Sequence, residues 1–594
     1  MLIDLVVLAM FGRNIPVSED WWLVAPLTDN EPNLAHWLWA PNNEHRIPFP
    51  RLIMLGLLKL AGGDWRSGMF FNIILLGLLA AAFILAARKL RNGRSIFADT
   101  LFPIALLSLG NWENLYWSWQ VTQVATIALT CILLLLIVTI NEKMQPVAMI
   151  AAGVVLILLP LSGATGLLWL PISLLFFTYY GWHCRQEAPK GSRTRRAAEF
   201  LLLAVVVSLL ITSIYLVGLR QPEWMPPNPG ILPSLYAVMQ FLALGIGPIA
   251  RSAWFPAIAI TLLIFVSTAV ILAHAGYRFL GTKEEMRVMG LLAFFGNGLF
   301  FALATGFGRA GVIGSRPGWM MWPIRYAQFV APLLFTAYFA WLLYLPRRFA
   351  KLTATALALL LLLLIPLNTV IAYGWHFSTS ERDEQIMAHI RAGVPTEDIA
   401  TKFRDYLWSW AAPGQLEENL RWLKDGGFPP FDNAPSVLVS RTMAEKAASS
   451  WPAVELRYQF PQAQEVFLLW GIGGWQTIPE QQRPAGTIIE NELMKSPMLP
   501  ESDAFVSRVQ VPPGASLQYG FEINGRPLWL TPYYLGWDFG HDELLVEEED
   551  VTLAITPYPW LSFRLLSLLV LATGGIFIAI WVSLALLIPV DDKG

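Results

Sequence analysis

The sequence predicts a polytopic α-helical membrane protein that carries a water-exposed α+β domain near its C-terminus. Hydrophobic residues make up 55% of the 594 residues and charged residues only 14%, a balance outside the usual range of soluble domains. Apolar stretches of about 20 residues, the length that crosses a bilayer, recur along the chain. Residues 375–559 differ from the rest because they are rich in charges, prolines and turn signals.

Roughly twelve apolar stretches are long enough, or nearly so, to cross the bilayer. The N-terminal run, residues 1–12, is short, so we expect a truncated or thinly embedded first span. The others cover residues 68–87, 97–109, 118–140, 146–161, 166–181, 198–218, 255–274, 288–306, 329–345, 352–373 and 565–589. Residues 235–247 are also apolar, but a span there would invert every later segment. We expect a short re-entrant or interfacial helix, broken at Gly245, Gly247 and Pro248.

Basic residues predict the orientation, because short cytoplasmic loops carry an excess of lysine and arginine. Four basic runs fall on one side, which we assign to the cytoplasm: residues 88–94, 183–196, 277–287 and 346–351. The opposite face then receives three loops and the polar segment, at residues 13–51, 110–120, 308–325 and 375–559. The predicted localisation is the inner membrane of a bacterium, with the polar segment in the periplasm.

We predict four units along the chain. A transmembrane domain covers residues 1–374, and a helical linker with glycine and proline stops covers 375–435. Short alternating runs in 436–559, separated by proline, glycine and asparagine, favour an antiparallel β-sandwich. A final transmembrane helix and a short cytoplasmic tail occupy 560–594.

Composition and motifs exclude several kinds of site. The net charge of −2 gives no reason to expect a nucleic-acid partner. The sequence has only two cysteines, neither placed for a disulfide framework or a zinc site. The absence of a phosphate-binding glycine loop argues against direct use of a nucleotide. No cofactor is indicated with certainty, although a divalent cation held by Asp20, Glu44 and Glu113 stays open.

The first external loop concentrates ionisable residues: Glu19, Asp20, Glu44, His45, Arg46 and Arg51. Capping of the next helix would explain Asp20 alone, but capping does not need a histidine and two arginines nearby. We therefore expect a polar pocket at the outer leaflet. There a carboxylate would deprotonate a sugar hydroxyl, while arginine and histidine would neutralise the phosphate of a lipid-linked sugar donor.

The second external loop, GNWENLYWSWQ, places aromatic residues, including Trp112, beside Glu113. These rings fit two alternatives, stacking on sugar faces or forming an interfacial aromatic belt. Gln120 and Gln123 enter the following span, where an amide needs a partner. We expect both amides to face a cavity or a neighbouring helix.

The third external loop carries Arg309, Arg316, Arg325 and Tyr326 on the face where basic residues are unusual. A specific lipid phosphate and ordinary lipid headgroups are the two alternatives, and we favour the specific phosphate because Arg309 and Arg325 both adjoin span ends.

This arrangement resembles the C-type glycosyltransferase superfold, whose multi-span enzymes take a sugar from a polyprenyl-phosphate carrier on the outer face. The resemblance covers about the first 375 residues. It rests on Glu19 and Asp20 after the first span, the EHR triplet at 44–46, and the spacing from Gly308-Arg309 to Arg325-Tyr326. It implies that Asp20, with Glu19 as its neighbour, is the base on the acceptor, and that the anomeric carbon is inverted.

The β-rich segment is similar to starch-binding-type carbohydrate modules. The similarity rests on FLLWGIGGW at 467–475, MKSPM at 494–498, LQYGFEI at 517–523 and GWDFG at 536–540. Exposed tryptophans stack on sugars in such modules. The candidates are Trp475, Trp529 and Trp537, whereas Trp470 is expected in the core.

These inferences predict a transferase that moves a sugar from a polyprenyl-phosphate donor to a cell-envelope glycan. Asp20 is the expected base, and the donor phosphate is assigned to Arg46, His45, Arg309 and Arg325. The pocket is assigned to Glu44, Arg51, Glu113, Trp112, Gln120 and Tyr326. Two other classes stay open: a transporter or flippase of lipid-linked glycan, which would need polar residues through its spans, and a non-enzymatic envelope-assembly protein.

Overall fold

The computed structural model describes most of the chain. The described residues are 1–140, 145–220, 222, 225–313, 322–392, 394–432, 436–442, 451, 453–460, 463–490, 492–502, 504–512, 515 and 517–528. The predicted last span at 565–589 lies outside them, as do Arg316, Trp529 and Trp537.

Helices dominate the first two thirds of the chain. In order they are α1 (Leu2–Phe11), α2 (Val24–Leu27), α3 (Leu34–Trp39), α4 (Pro48–Leu60), α5 (Arg66–Leu90), α6 (Leu101–Leu107), α7 (Trp112–Tyr116), α8 (Val121–Val138), α9 (Gln145–Leu158), α10 (Ala164–Leu168), α11 (Pro171–Glu187), α12 (Arg193–Leu216), α13 (Ile231–Ala243), α14 (Trp254–Arg278), α15 (Glu285–Ile313), α16 (Ala327–Tyr344), α17 (Arg347–Ala392), α18 (Thr396–Trp408) and α19 (Gln415–Asp425). Short 3-10 turns join several of them.

Seven helices within the described ranges are long and apolar enough to cross a membrane. They are Arg66–Leu90, Ser118–Val138, Arg193–Leu216, Trp254–Arg278, Glu285–Ile313, Ile324–Tyr344 and Arg347–Ala372. Each coincides with a predicted apolar stretch, which confirms those seven predictions of a helix. The total of about twelve spans stays a prediction.

Two predicted spans are divided in the structure. Residues 97–109 form a 3-10 turn followed by α6, a helix of seven residues. At about 1.5 Å per residue α6 is far shorter than a bilayer core. Residues 166–181 are split between α10 and α11, because Pro171 begins a new helix and proline suits the first helical position.

The middle of the bundle is built on α16, a helix that is apolar on all sides. In the candidate span Ile324–Tyr344, 89% of the most apolar window is buried, against 33% for the helix Arg193–Leu216. Aromatic rings fill this core, with Phe335 4.8 Å from Phe83 and Phe102 4.9 Å from Tyr338 between ring centroids. A helix without a polar face is expected in such a buried position.

The predicted short helix at 235–247 is confirmed as a short element. Helix α13 and a 3-10 turn end at Gly247, whose φ of 97° suits glycine. The Asn368 amide serves the broken backbone: Nδ2 donates to the Ile246 carbonyl at 3.0 Å, and Oδ1 accepts from the Ile249 N–H at 2.7 Å. Irregular backbone within a bundle needs such partners. Its predicted placement, re-entrant or at the membrane interface, stays a prediction.

The helical segment that follows residue 374, here called the outer segment after its predicted side of the membrane, packs on the first loop. Helix α17 runs unbroken for 46 residues, through the predicted boundary between residues 374 and 375, and continues into α18 and α19. Trp408 at the end of α18 stacks on Trp21, with ring centroids 6.4 Å apart and planes 9° apart, and meets Trp22 edge-on at 5.5 Å. Phe431, which follows α19 in the chain, also packs on Trp21. The first loop and the outer segment therefore share one hydrophobic core.

The last described part consists of antiparallel strands. They are β1 (Ser436–Thr442), β2 (Ala453–Gln459), β3 (Val466–Ile472), β4 (Ile488–Glu490), β5 (Leu493–Pro497), β6 (Leu499–Glu501), β7 (Ala504–Gln510), β8 (Leu517–Ile523) and β9 (Arg526–Leu528). One sheet has the order β1-β2-β7-β6 and the other β4-β5-β3-β8-β9.

Within each sheet, buried residues lie opposite one another on paired strands. Leu456 pairs with Ser507 in the first sheet, and Trp470 pairs with Tyr519 in the second. Tyr458 of the first sheet contacts Phe521 of the second, with ring centroids 4.7 Å apart. The predicted antiparallel strands are confirmed, while the sandwich classification and the carbohydrate-module likeness stay predictions.

Candidate active site

Asp20 is a buried carboxyl with one unused oxygen. It lies on the 3-10 turn Ser18–Leu23 and is 1% exposed. Its Oδ2 accepts from the Val17 N–H and from Trp117 Nε1, both at 3.2 Å. Its Oδ1 is buried and has no hydrogen-bond partner among the described residues. The bond from the Val17 N–H caps the turn in which Asp20 itself lies, rather than a helix that starts after it, and it uses only Oδ2.

The surroundings of Asp20 favour its protonated form. Burial raises the pKa of Asp20 to about 8, since the charged carboxylate loses its hydration, and the neighbouring charge of Glu19 adds to the rise. The hydrogen bonds from the Val17 backbone, the Trp117 side chain and the Trp119 backbone act in the opposite direction but are outweighed. Near neutral pH the carboxyl is therefore mostly protonated and close to its midpoint, a condition that suits a group exchanging protons.

Trp117 connects Asp20 to an ion pair. The backbone N–H of Arg325 donates to Glu113 Oε2 at 3.0 Å, and its guanidinium pairs with Glu113 Oε1. The guanidinium also lies over the Trp117 ring, 6.0 Å from the centroid, and the charge of Glu19 acts on it. Trp117 thus contacts both Asp20 and Arg325. We call Glu19, Asp20, Glu113, Trp117 and Arg325 the acid centre.

Helix ends position the acid centre. Glu113 lies on α7, Trp117 just before the turn that starts α8, and Arg325 on the turn that starts α16. Asn114 fixes the last of these turns, because its Nδ2 donates to the Arg325 carbonyl at 2.8 Å and to Gln328 Oε1 at 2.9 Å.

Sequence reasoning found neither Trp117 nor Asn114. Both lie in the loop that it had singled out, but only their tertiary contacts distinguish them from the other aromatic and polar residues there.

The remaining predicted pocket residues of this region surround the acid centre. Gln120 is 1% exposed, and its Oε1 and that of Gln123 are buried without a hydrogen-bond partner in the described part of the chain. Trp112 packs on Tyr116, with ring centroids 4.0 Å apart. The Tyr326 ring lies 5.8 Å from the Arg325 guanidinium. The expectation that both amides face a cavity stays a prediction.

A second centre is built on the EHR triplet. Arg309, near the end of α15, pairs with Glu44 Oε1, and His45 Nε2 lies 3.2 Å from the same oxygen and 3.4 Å from Arg309 Nη2. Removal from water, together with the charge of Arg309, lowers the pKa of His45 despite the opposing charge of Glu44. The imidazole is therefore neutral near pH 7. We call Glu44, His45 and Arg309 the histidine centre.

Arg46 and Arg51 have different partners, namely backbone carbonyls. Arg46 donates through Nε to Tyr215 at 3.2 Å, through Nη1 to Trp39 at 2.8 Å and through Nη2 to Val217 at 3.0 Å. The Tyr215 hydroxyl accepts from the Arg46 backbone N–H at 2.9 Å. Arg51 donates to the carbonyls of Trp37 and Ala40 and lies over the Trp37 ring. These two side chains tie the first loop to itself and to the end of α12.

The structure thus brings the predicted ionisable residues together as two centres. The acid centre connects Asp20 to Arg325 through Trp117, and the histidine centre joins Glu44 and His45, but not Arg46, to Arg309. Both centres lie at helix ends remote from the basic runs: Arg325 begins α16, whose other end precedes the run 346–351, and Arg309 lies at the end of α15 opposite the run 277–287.

No group of three histidine, cysteine, aspartate or glutamate side chains within the described ranges is arranged to hold a metal ion. Glu44 and Glu113 are each paired with an arginine, so of the three carboxylates considered for a cation only Asp20 lacks a cationic partner of its own in the described contacts. A divalent cation stays an open prediction.

The tryptophans of the β-rich part occupy different environments. Trp470 is fully buried and donates from Nε1 to Ser496 Oγ at 2.7 Å, as expected for a core residue. Trp475 is half-buried in the turn after β3, where its φ is 61°, and its backbone N–H donates to the Gln518 side chain. Its role in sugar binding stays a prediction.

Comparisons with known proteins complete this description. No protein-family model and no curated protein matches the sequence. Among solved structures, the chain is similar to ArnT from Cupriavidus metallidurans, whose crystal structure contains undecaprenyl phosphate. The two chains are 14% identical with a TM-score of 0.39, over 75% of this chain and 95% of ArnT. A similarity at this level assigns neither an activity nor residue roles to this chain.

Proposed function

We propose that the chain is a membrane glycosyltransferase. It moves a sugar from a polyprenyl-phosphate donor to a cell-envelope glycan, at the periplasmic face of a bacterial inner membrane. Three features support the proposal: helices of membrane-spanning length, basic runs at one end of them, and two charged centres at the other. The observation that carries it is Asp20, a buried carboxyl whose Oδ1 has no hydrogen-bond partner among the described contacts and whose Oδ2 bonds Trp117, the ring over which the Arg325 guanidinium lies.

In this proposal Asp20 is the general base. The acceptor hydroxyl attacks the anomeric carbon, its proton passes to the Asp20 carboxylate, and the bond from that carbon to the phosphate oxygen breaks. Attack from the face opposite the leaving phosphate inverts the anomeric carbon. A pKa of about 8 makes the ionised form scarce at neutral pH but strongly basic, which is the compromise that general-base catalysis favours.

Arg325 and Arg309 are the proposed phosphate ligands. Each is held by one carboxylate, Glu113 or Glu44, which fixes the position of the guanidinium before the donor arrives. A departing phosphate carries more negative charge than the bound diester, so an arginine contact strengthens as the bond breaks. Neutral His45 has a single N–H, so it can donate to a phosphate oxygen, without adding charge, when its Nε2 accepts from Arg309 instead of donating to Glu44.

Arg46 and Arg51 support the site indirectly in this proposal. Three N–H groups of Arg46 are committed to carbonyls, and that bonding fixes the backbone next to His45. The polar segment that follows α17, including Trp475, is proposed to hold the acceptor glycan, since half-exposed aromatic rings stack on sugars.

The test is the replacement Asp20→Asn in the full chain, with envelope glycans analysed by mass spectrometry. We expect the variant to accumulate in the membrane but to lose the glycan modification that the wild-type protein supplies. Asp29→Asn is the matched control, because Asp29 lies in the same loop with an 83% exposed side chain paired to Lys59. A glycan profile that is unchanged with Asp20→Asn, or that does not differ between cells with and without the protein, would contradict the proposal.

A further inference from the structure

Three amide side chains are buried where α5, α7 and α16 meet. Asn72 and Asn114 have no exposed surface, and Gln328 is 1% exposed. A buried amide loses its hydrogen bonds to water, so it is unfavourable unless the protein replaces those bonds. The bonds that these amides make therefore indicate why amides, and not apolar side chains, occupy the three positions. We call Asn72, Asn114 and Gln328 the amide brace.

Asn114 and the residue before it bond both polar groups of the Arg325 backbone. The Arg325 N–H donates to Glu113 Oε2 at 3.0 Å, and Asn114 Nδ2 donates to the Arg325 carbonyl at 2.8 Å. The same Nδ2 donates to Gln328 Oε1 at 2.9 Å, and Gln328 Nε2 donates to the Leu106 carbonyl at 2.7 Å. The backbone that carries the Arg325 guanidinium is thus fixed to α7 and, through Gln328, to α6.

Asn72 fixes the following part of the chain to α5. Its Nδ2 donates to the Asn114 carbonyl at 3.0 Å and, at the longer distance of 3.5 Å, to the Trp117 carbonyl. One turn earlier on α5, a Cβ at Gly68 would collide with Ser118 Oγ and would lie 3.1 Å from Ser118 Cβ. Glycine at position 68 therefore allows α5 to approach this segment closely enough for the amide to reach it.

We infer that Asn72 and Asn114 are positioning residues of the acid centre, which hold Arg325 in place for the donor phosphate. The hydrogen bonds form a continuous connection, because Asn72 bonds Asn114 and Asn114 bonds the Arg325 carbonyl. Asn72 also reaches the Trp117 carbonyl, and Trp117 Nε1 donates to Asp20. The same amides thus support the base and the phosphate ligand. This inference rests on the proposed role of Arg325 as a phosphate ligand.

The two asparagines act as hydrogen-bond donors. The Oδ1 atoms of Asn72 and Asn114 are buried without a hydrogen-bond partner among the described residues, whereas both Nδ2 atoms are used. A guanidinium loses conformational freedom when it binds a ligand, and a backbone that is already fixed reduces that loss. The brace therefore contributes to phosphate affinity through Arg325, without a contact of its own with the phosphate.

Asn297 of α15 is a matched comparison within the same bundle. It is fully buried, its Oδ1 accepts from the Ile172 N–H at 2.9 Å, and its Nδ2 donates to the Leu168 carbonyl at 3.2 Å. These two bonds hold the break between α10 and α11 and do not reach the acid centre. Asn114→Ala and Asn297→Ala each remove two bonds of a buried amide, so we expect similar losses of folding stability.

The experiment separates positioning from stability by measuring selectivity for a phosphate. Dissociation constants of undecaprenyl phosphate and of undecaprenol, the same chain without the phosphate, are measured by native mass spectrometry for the full chain in detergent. Asn114→Ala should lower the ratio of the two constants roughly tenfold, the effect of one hydrogen bond of ordinary strength. Asn72→Ala, the second variant in case Asn114→Ala does not accumulate, should lower the ratio in the same direction. Asn297→Ala should leave it unchanged.

A double variant tests whether the brace acts through Arg325. In the Arg325→Gln background, Asn114→Ala should cause no further loss of selectivity, whereas two independent effects would add. Unchanged selectivity in Asn72→Ala and Asn114→Ala, or a full further loss in the Arg325→Gln background, would overturn the brace and leave the proposed function intact.

Two other outcomes concern the proposed function. If Arg325→Gln alone leaves the selectivity unchanged, the proposed phosphate site fails and the brace fails with it. If the selectivity falls as expected while Asp20→Asn retains glycan modification, the brace stands and the proposed transferase role of Asp20 fails.

Discussion

Two buried arginine–carboxylate sites lie at opposite ends of the same helices. Just beyond the end of α5 that carries the basic run, Asp99 accepts from Arg91 Nη2 at 2.7 and 2.6 Å, from the Tyr338 hydroxyl at 2.5 Å and from the Ile96 N–H at 3.0 Å. At the opposite end, Arg325 pairs with Glu113 and lies over the ring of Trp117, which donates to Asp20.

The two sites differ in how completely they are satisfied. Both oxygens of Asp99 are fully bonded, whereas Asp20 Oδ1 has no partner within the described ranges. A buried polar atom without a protein partner is costly, so each one needs an explanation, such as a bound ligand or water. The saturated site is therefore the structural one, and the unsaturated site is the one to test for function.

The largest effect on stability is expected from breaking the saturated site. Asp99→Asn leaves Arg91 buried without its counter-ion, which costs about 3–5 kcal/mol in comparable pairs. The free energy of unfolding in detergent should fall by that amount, while glycan transfer per folded molecule stays near the wild-type level. The double variant Arg91→Met with Asp99→Asn should recover part of the loss. A stable but inactive Asp99→Asn protein would reverse the assignment of the two sites.

A smaller effect, on activity instead of stability, is expected at Arg325. Arg325→Gln removes a positive charge whose attraction to the phosphate grows as the phosphate leaves. The rate of sugar transfer should therefore fall about 10²-fold, equivalent to about 2.7 kcal/mol. The measurement is the rate of glycan modification normalised to the amount of folded protein. Glu113→Gln combined with Arg325→Gln removes the charge imbalance and should recover stability but not transfer. Recovery of transfer in the double variant would make this pair structural, like Arg91 and Asp99.

The pattern of charged residues in the sequence indicates where the unsaturated site lies. The first loop and the segment 308–326 stood out because arginines and carboxylates there lie on the face opposite the basic runs. Composition also predicted seven helices that the structure has, since apolar runs of spanning length have few alternative conformations. The pattern does not show which groups pair. Arg46 and Arg309 are the same residue type, but Arg46 bonds backbone carbonyls and Arg309 bonds a carboxylate.

Two differences between predicted stretches and observed elements have local causes. Residues 97–109 look like a span by composition, but the chain turns at Phe97–Thr100 and again after α6, where the Asp99 site holds it. The linker boundary at 374/375 was placed at a change in composition, while α17 continues across it because a helix needs only local hydrogen bonds and not a uniform environment. The contact of Trp408 with Trp21 joins residues almost 400 positions apart in the chain, a distance over which residue pattern carries no signal.

Arg46 resembles the saturated site, because its guanidinium donates to three backbone carbonyls. Arg46→Lys keeps the charge but loses the planar fork that reaches three carbonyls, so about two hydrogen bonds are lost, at a cost of about 2 kcal/mol of folding stability. Thermal unfolding in detergent measures this change. If transfer per folded molecule fell as far as in Arg325→Gln, Arg46 would belong to the phosphate site, as the sequence first suggested.

The smallest effect is the pH dependence of the unsaturated site. Because the pKa of Asp20 is raised to about 8, the ionised fraction of this base, and with it the transfer rate, should rise about fivefold from pH 7 to pH 8 and level off above pH 9. Folding stability changes with pH in the opposite direction to the transfer rate. A carboxyl whose folded-state pKa lies above its unfolded value of about 3.9 holds an extra proton in the folded state, so its contribution to stability decreases as pH rises from about 4 to about 8.

Both pH trends depend on one carboxyl, which makes them a joint test. Asp20→Asn should abolish the rise in transfer and flatten this part of the stability profile, whereas Asp99→Asn should leave the pH dependence of transfer in place. The measurements are transfer rates and unfolding midpoints at half-unit steps between pH 6 and pH 9. A stability profile that keeps its slope in Asp20→Asn would mean that another buried acid, such as Asp383 or Asp398, whose pKa values are both raised to about 7 by burial, dominates the titration. The contrast between the saturated and the unsaturated site would then rest on the transfer rates alone.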